Sequence, residues 1–549
     1  MELRVGLVNL EPRTRKAELR VTFAPRGREG PTEVVRLGPL HLTHHADWPW
    51  GQQPTLLHMD DIEQWHTFHC AVPNVRLWWP WDLGAPNLHD VDVELWLDQE
   101  FCDHVGTTFG VRTVQKGLND PIADRWNWAL LVNGVRFFAR GSCYLSDQFP
   151  SRMTGQRYKA DVQLAKDGNI NMLRVFATVE KPEFYDICDQ LGIWVYQDYP
   201  LQWGGYVHTD EFSRACQRQA AGLVHLMHNH PSVFMYAGHS EPFDVEVQRE
   251  IDRPMTTVVR AHDPTRPVIF ENGTGPERDL HAWGCGWYGG QVDDIDAWCA
   301  AAQAGFVGEF GAQSFPSMDQ LLRYPTLTEE DLKVPINIAK LELLNLQLQP
   351  CERYLGLEPG RDPIGVWIER SQAYQAELIK THIEAFRRHK YRDINGALAF
   401  HFVDNYPGIS WSIVDFWRSP KPAYFALQKA FQPIHVMASR GRCQESDPGH
   451  SLVREVWVVN DSRQAYPGCQ VRWWFTDPRG HEIGKGILNA DVREDDLILF
   501  GQVGAQLSEG FLVGRYLLAL ELCDDQKVLL SNNEYEVEVN LALTQGYIP

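Results

Sequence analysis

Two glutamates at the ends of strand-like runs carry the clearest chemistry in this chain. Tyr236–Pro242 reads Tyr-Ala-Gly-His-Ser-Glu-Pro and ends a run of apolar residues at Glu241. Val307–Ser314 reads Val-Gly-Glu-Phe-Gly-Ala-Gln-Ser and carries Glu309 in the same way. Two carboxylates delivered to one rim are the minimum equipment for glycoside hydrolysis. One must be protonated to donate to the leaving oxygen, and the other ionised to attack the anomeric carbon. A carboxyl in a partly apolar pocket beside a second carboxylate is raised in pKa, which would separate the two roles. Glutamates at strand ends are common, so spacing alone leaves a structural role open.

The elements that must position this pair read as a parallel β/α array between about 125 and 435. Eight strand-like runs are predicted: Phe137–Tyr144, Met172–Phe176, Ile193–Asp198, Val233–Gly238, Pro267–Glu271, Asp279–Trp283, Phe306–Phe310 and Ala397–Phe402. Helix-like stretches such as Arg157–Asp167, Pro182–Leu191 and Phe212–Met227 alternate with them. That alternation predicts a (β/α)8 barrel, with an insertion before the last strand and the active site at the C-terminal strand ends. An open doubly wound sheet is the competing arrangement. Short alternating segments before and after predict a flanking β-sandwich on each side. The expected domains are 1–117, 118–435 and 436–549, with immunoglobulin-like sandwiches on both sides of the barrel.

Length, composition and charge narrow the function classes. A chain of 549 residues exceeds one core. The formal net charge of −21 argues against nucleic acid and against anionic membrane surfaces. Twenty tryptophans exceed ordinary usage, and aromatic faces stack on pyranose rings, although most Trp in any chain serve the core. No run approaches the ~18 apolar residues of a membrane helix. Met1–Leu10 lacks the pattern of a signal peptide, and eleven dispersed Cys read as reduced thiols, so a cytoplasmic location is expected. Gly284–Gly289 spells Gly-x-Gly-x-x-Gly but no βαβ unit frames it. His228 and His230 are too close, before a proline, for a helical zinc pair. Asn272-Gly273-Thr274 and Asn460-Asp461-Ser462 match the glycosylation pattern, which means little without secretion.

Longer motifs add a resemblance. Gly141–Pro150, Asn169–Phe176, Phe184–Gly192, Val195–Pro200 and His228–Val233 resemble glycoside hydrolase family 2. Gly308–Ser317, Asp279–Trp283 and Ser410–Tyr424 resemble its β-mannosidase branch. Leu77–Leu88 and Phe109–Thr113 look like the immunoglobulin-like domain that precedes the barrel there, whereas no counterpart of the family's usual first sugar-binding-type domain is seen. The resemblance implies a retaining exo-β-glycosidase acting on terminal β-linked sugars, β-mannosides first, with β-galactosides, β-glucosaminides and β-glucuronides open. A transglycosylase and a non-hydrolytic sugar-binding protein are the alternatives.

The resemblance also implies roles. Glu309 would be the nucleophile and Glu241 the acid/base. Arg174 would keep Glu309 ionised. Asp198, Trp203, His239, Ser240, His281, Trp283, Asp404 and Trp411 would contact the sugar or line its pocket. Family members carry Asn directly before the acid/base, where this chain has Ser240, a shorter side chain without an amide. Phe176–Glu180 and Phe400–Asp404 also depart from the branch. The expected partner is an oligosaccharide or small glycoside, with no cofactor and no metal. A homo-oligomer is a further expectation, since apolar surface that a missing domain would cover could pair with a second copy.

Overall fold

The computed structural model describes residues 2–9, 11–27, 33–43, 64–72, 75–117, 128–274, 277–440, 451–507 and 511–539. At its centre eight parallel strands follow one another around a barrel: β1 (Ala139–Tyr144), β2 (Met172–Val175), β3 (Trp194–Asp198), β4 (Val233–Ala237), β5 (Val268–Ile269), β6 (Asp279–His281), β7 (Phe306–Glu309) and β8 (Gly396–Ala399). The order in the sheet is 5-4-3-2-1-8-7-6. A parallel bridge between Gly273 and Leu280 joins its two edges, with the Gly273 N–H donating to Asp279 O at 2.8 Å. All eight predicted runs are strands of this sheet. The fifth is the shortest; beyond Ile269 it continues only as single bridges at Asn272 and Gly273.

Strand alternation decides what faces inward. Leu173, Val175 and Val195 pack outward against the helices, with Phe184, Val224 and Ile383. Met172, Trp194, Phe234, Phe306 and Leu398 fill the barrel interior. With a period of two, Arg174 then sits above Met172 and Asp198 above Tyr196, both inside the barrel near its C-terminal rim. The barrel floor is closed by Trp78 and Trp128 from the preceding segments; Trp128 stacks on Phe306 at 4.9 Å.

Helices Gly155–Asp167 and Asp210–Met227 start where Thr154 and Thr209 accept the N–H of Arg157 and Phe212. Such caps satisfy donors that the first turn leaves orphaned. Between β7 and β8 lies the expected insertion: three short α-helices and a 3-10 turn, then the long helix Ile364–Arg388, around a core of Phe315, Leu341, Leu357 and Trp367.

The flanking segments are antiparallel sheets. Before the barrel, strands Arg15–Pro25, Glu33–Leu42, His89–Leu97 and Glu100–Phe109 form one sheet, and Glu2–Leu7 pairs with Gln64–His69 in another. After it, a three-stranded and a four-stranded sheet enclose Val456, Val471 and Leu518. The expected division after 117 falls at the end of strand Val114–Gly117, and that after 435 falls inside strand Ile434–Ala438. Residues 114–117 pair with Ala129–Val132, and strand Ile434–Ala438 already pairs with the strand ending at Asn460.

A buried charge cluster ties barrel to C-terminal sheets. Asp461 accepts from Arg140 Nη1 at 3.2 Å, Arg387 Nη2 at 2.7 Å and Lys390 Nζ at 2.9 Å, and Arg140 Nη2 reaches Asp82 at 2.7 Å. Burial opposes the Asp461 charge, yet its three cations hold the carboxyl well below its usual range. Asp461→Asn leaves those cations uncompensated and is expected to cost about 3–5 kcal/mol, read as a fall in thermal midpoint. Because the folded pKa is depressed, this contribution is present above the unfolded carboxyl's pKa and is lost as pH falls.

Candidate active site

Arg174 organises the barrel mouth. Its guanidinium is fully buried and spends its donors on four neighbouring strand ends: Nε on Asp198 Oδ2 at 2.9 Å, Nη1 on Glu309 Oε1 at 3.0 Å, and Nη2 on Ser240 Oγ at 3.0 Å and Asn272 Oδ1 at 2.8 Å. The planar fork of Arg suits such multidentate contact. Asn272 completes the ring by donating to Asp198 Oδ1 at 3.2 Å. Below it Tyr196 donates to Asp279 at 2.7 Å, and burial first of all lifts the Asp279 carboxyl to about 6. Gly308 is required here, because a Cβ would lie 2.4 Å from Asp279 Oδ1.

Glu241 comes in from the β4 side. Its φ of 49° is left-handed, an arrangement that costs a non-glycine residue about 1–3 kcal/mol and is found at functional sites. The turn is held by Glu241 N–H to Asn272 O at 2.9 Å and Ser240 N–H to Leu201 O at 3.0 Å. His281 Nδ1 lies between the two carboxylates, 2.6 Å from Glu241 Oε1 and 3.5 Å from Glu309 Oε2. Trp203 Nε1 donates to Glu241 Oε2 at 2.9 Å. Gly273, at φ 86°, lets this packing close, since a Cβ there would meet His281 and Glu241 below 3 Å. Donor atoms of Glu241, His281 and Glu309 lie within 4.8 Å of one another. That spacing suits the short carboxylate separation of a double displacement, roughly 5–5.5 Å.

The same three groups could offer ligands to a cation, as could Asp186, Asp189 and His230. At the first cluster the Arg174 guanidinium, already on Glu309, opposes a second positive charge.

The electrostatics reverse one expectation. Burial pushes the Glu309 carboxyl well above its usual range; Arg174 opposes this, and the charges of Glu241, Asp198 and Asp279 add to it. Burial also pushes Glu241 up, but the hydrogen bonds from His281 and Trp203 outweigh it and the net direction is down. His281 is lowered to about 4 by burial and is neutral above that. The two carboxyls are therefore shifted in opposite directions. The physical reason is depth: Glu309 is enclosed, whereas Glu241 stands at the mouth with two donors.

The sugar-contact expectations divide. Arg174, Asp198, Ser240, His281, Glu241, Glu309 and Trp203 come together as one cluster. Asp198 and Ser240 are fully buried and engaged with Arg174, so they shape the cluster from beneath. Trp283 lies on the opposite wall, where Trp411, Phe400 and Tyr288 pack around it with ring centroids 5.6–6.2 Å away. His239 does not join. It is fully buried and points to Asp252, 3.0 Å from Oδ1, away from its neighbour Ser240, which turns to Arg174. Asp404 is also buried apart from the pair, accepting from Ser410, with burial lifting its carboxyl to about 6.

Asn272 is the residue that sequence reasoning missed. Its Asn-Gly-Thr triplet reads as a glycosylation pattern, but the side chain is buried in the Arg174 network. The usable signal was its place at the end of the fifth strand. Asn272→Ala strips acceptor and donor from this buried network and is expected to destabilise the chain by about 1–3 kcal/mol, measured by urea unfolding.

Two family models match: the TIM barrel domain of glycosyl hydrolases family 2 over residues 127–301, and glycosyl hydrolases family 2 over residues 43–112. Over those residues the chain is similar to glycoside hydrolase family 2, and the observed eight-stranded barrel agrees with that likeness. Among individual proteins, the similarity runs to β-mannosidases. β-Mannosidase B of Aspergillus niger is 27% identical over 462 residues, 76% of this chain and 54% of that protein. The chain thus spans about half the length of the curated relatives it matches. A β-D-mannosidase structure from Dictyoglomus thermophilum superposes with TM-score 0.78 at 22% identity, covering 100% of this chain and 65% of that one. An exo-chitosanase from Amycolatopsis orientalis superposes with TM-score 0.71 at 18% identity, covering 98% and 61%. No helix among the described residues is long and apolar enough to cross a membrane.

Proposed function

We propose that the chain is a retaining exo-β-glycosidase whose first substrates are terminal β-mannosides. The observation that carries this reading is the pair Glu241 and Glu309, facing each other across His281 Nδ1 at the barrel mouth, with Arg174 on Glu309. Glu309 Oε2 attacks the anomeric carbon as the bond to the leaving oxygen breaks, and Glu241 gives that oxygen its proton. A water then gives its proton to Glu241, attacks the same carbon and frees Glu309. Arg174 withdraws charge from Glu309 in each resting state. The aromatic wall of Trp283, Phe400 and Trp411 supplies faces for the sugar ring. The mannosidase relatives favour mannose as the sugar, while the exo-chitosanase neighbour makes glucosaminides the next choice.

The test is a panel of nitrophenyl β-glycosides. Cleavage of the mannoside above the glucosaminide, galactoside and glucuronide is the expected result. A chain inert to the whole panel, but retaining sugars in a binding assay, would instead make it a sugar-binding protein.

A further inference from the structure

Both oxygens of Glu241 are occupied in the resting site. Oε1 accepts from His281 Nδ1 and Oε2 from Trp203 Nε1. An acid that hands its proton to a leaving oxygen needs one oxygen facing that group. His281 cannot yield, because its ring is buried and its backbone belongs to β6. Trp203 can: it is 49% exposed and lies on the loop after β3. Its φ of 60° is left-handed, so the loop holds it in a costly conformation that places the indole N–H on the carboxylate.

A second aromatic stands beside it. Phe243, two residues after Glu241, is 74% exposed, and its N–H donates to Trp203 O at 3.3 Å. The two loops are laced again by the Trp203 N–H to Ser240 O at 2.8 Å. Large apolar side chains held this far into solvent ask for a partner. Whatever accepts the proton of Glu241 must lie on this side of it.

Building on the hydrolase reading above, we propose that Trp203 and Phe243 form the subsite for the leaving group. The ligand class is an alcohol that presents a ring face, either an aromatic aglycone or the next sugar of a chain. Trp203 is a positioning residue there. When the ring enters, the indole leaves Oε2 and stacks on it, and the glycosidic oxygen takes the vacated position. Glu241 then loses a donor that stabilised its charge, and the proton moves toward the group that must give it away. Proton transfer to the glycosidic oxygen accompanies scission of its bond to the anomeric carbon, and the leaving group departs as the neutral alcohol.

The experiment compares three β-mannosides on the full chain: the fluoride, whose leaving group is small and needs no ring subsite, the nitrophenyl glycoside and the β-linked disaccharide. Phe243→Ala and Trp203→Ala are expected to lower the ratio of kcat/KM on ring-bearing substrates to that on the fluoride by about tenfold. Trp203→Phe keeps the ring and removes the N–H. It should keep most of that ratio and move the basic limb of kcat/KM to higher pH, because the lost hydrogen bond had lowered Glu241. Loss on both ring-bearing substrates supports a general ring subsite, and loss on the nitrophenyl glycoside alone an aromatic one. An unchanged ratio in both alanine variants, or an unmoved basic limb in Trp203→Phe, overturns the proposal while the hydrolase reading stands. A parent chain inert to all three substrates overturns both.

Discussion

Glu309→Gln is expected to abolish turnover, by about four orders of magnitude or more, with no loss of folded protein. The amide keeps the shape of the carboxylate but cannot form the glycosyl ester, so the double displacement stops at its first bond. It also removes the negative charge facing Arg174, while the amide oxygen can still accept from it and the contacts to Asp198, Asn272 and Ser240 keep the guanidinium in place. The parent protein's pH profile carries a linked expectation. Glu309 must be ionised to attack, and burial raises its carboxyl well above the ordinary range. The acid limb of kcat/KM should therefore lie above the pH of about 4.3 expected of an unperturbed glutamate. Single-turnover assays of the variant check the first expectation, and a pH series on the parent checks the second. Residual turnover of the variant within tenfold of the parent would move the nucleophile elsewhere.

Glu241→Ala has the second largest effect, and its size depends on the leaving group. Removing a general acid or base typically costs about 10²–10⁴-fold in rate. Substrates with poor leaving groups, such as a disaccharide, should sit at the upper end, because they rely on the proton. Activated aryl glycosides should lose less in the first step and become limited by the second, where the base is also missing. A small anion such as azide fits the space of the deleted carboxylate and needs no deprotonation. Added azide should therefore restore turnover of the aryl glycoside and yield a β-glycosyl azide with retained configuration. Loss that is equal for all leaving groups, and azide without effect, would return Glu241 to a structural role. Glu241 also anchors Trp203, so the variant frees that indole; a change in its fluorescence reports this separately from rate.

Much of this site was legible in the chain order of residues. Five strand-like runs carried a polar residue at or near their C-terminal end: Arg174 on β2, Asp198 on β3, Glu241 after β4, His281 on β6 and Glu309 on β7. For Arg174 above Met172 and Asp198 above Tyr196 the period-two pattern of buried strands makes that legible, since apolar residues beneath force the next inward position to the rim. The insertion before β8 was legible for the same reason, as a long gap in an otherwise regular alternation.

Other features could not be read before the chain was folded. His239 and Ser240 are neighbours in sequence, yet one turns to Asp252 and the other to Arg174; the choice depends on which element packs against each face. Asp404 sits two residues after Phe402 in a polar segment, but the loop buries it against Ser410 and Lys421 rather than at the sugar. Asn272 became part of the network only because β5 lies next to β4.

Sequence alone thus pointed to Arg174, Asp198, Glu241, His281 and Glu309 as strand-end groups, because local connection is a property of adjacent residues. Only the tertiary structure decided how they are charged and paired. The contact between Arg174 and Glu309 spans 135 residues, and that between Trp203 and Glu241 spans 38. A carboxyl's pKa follows from burial and from neighbours brought together by such contacts. For that reason the enclosed Glu309 is raised and the mouth-facing Glu241 lowered, an order that no pattern of nearby residues contains.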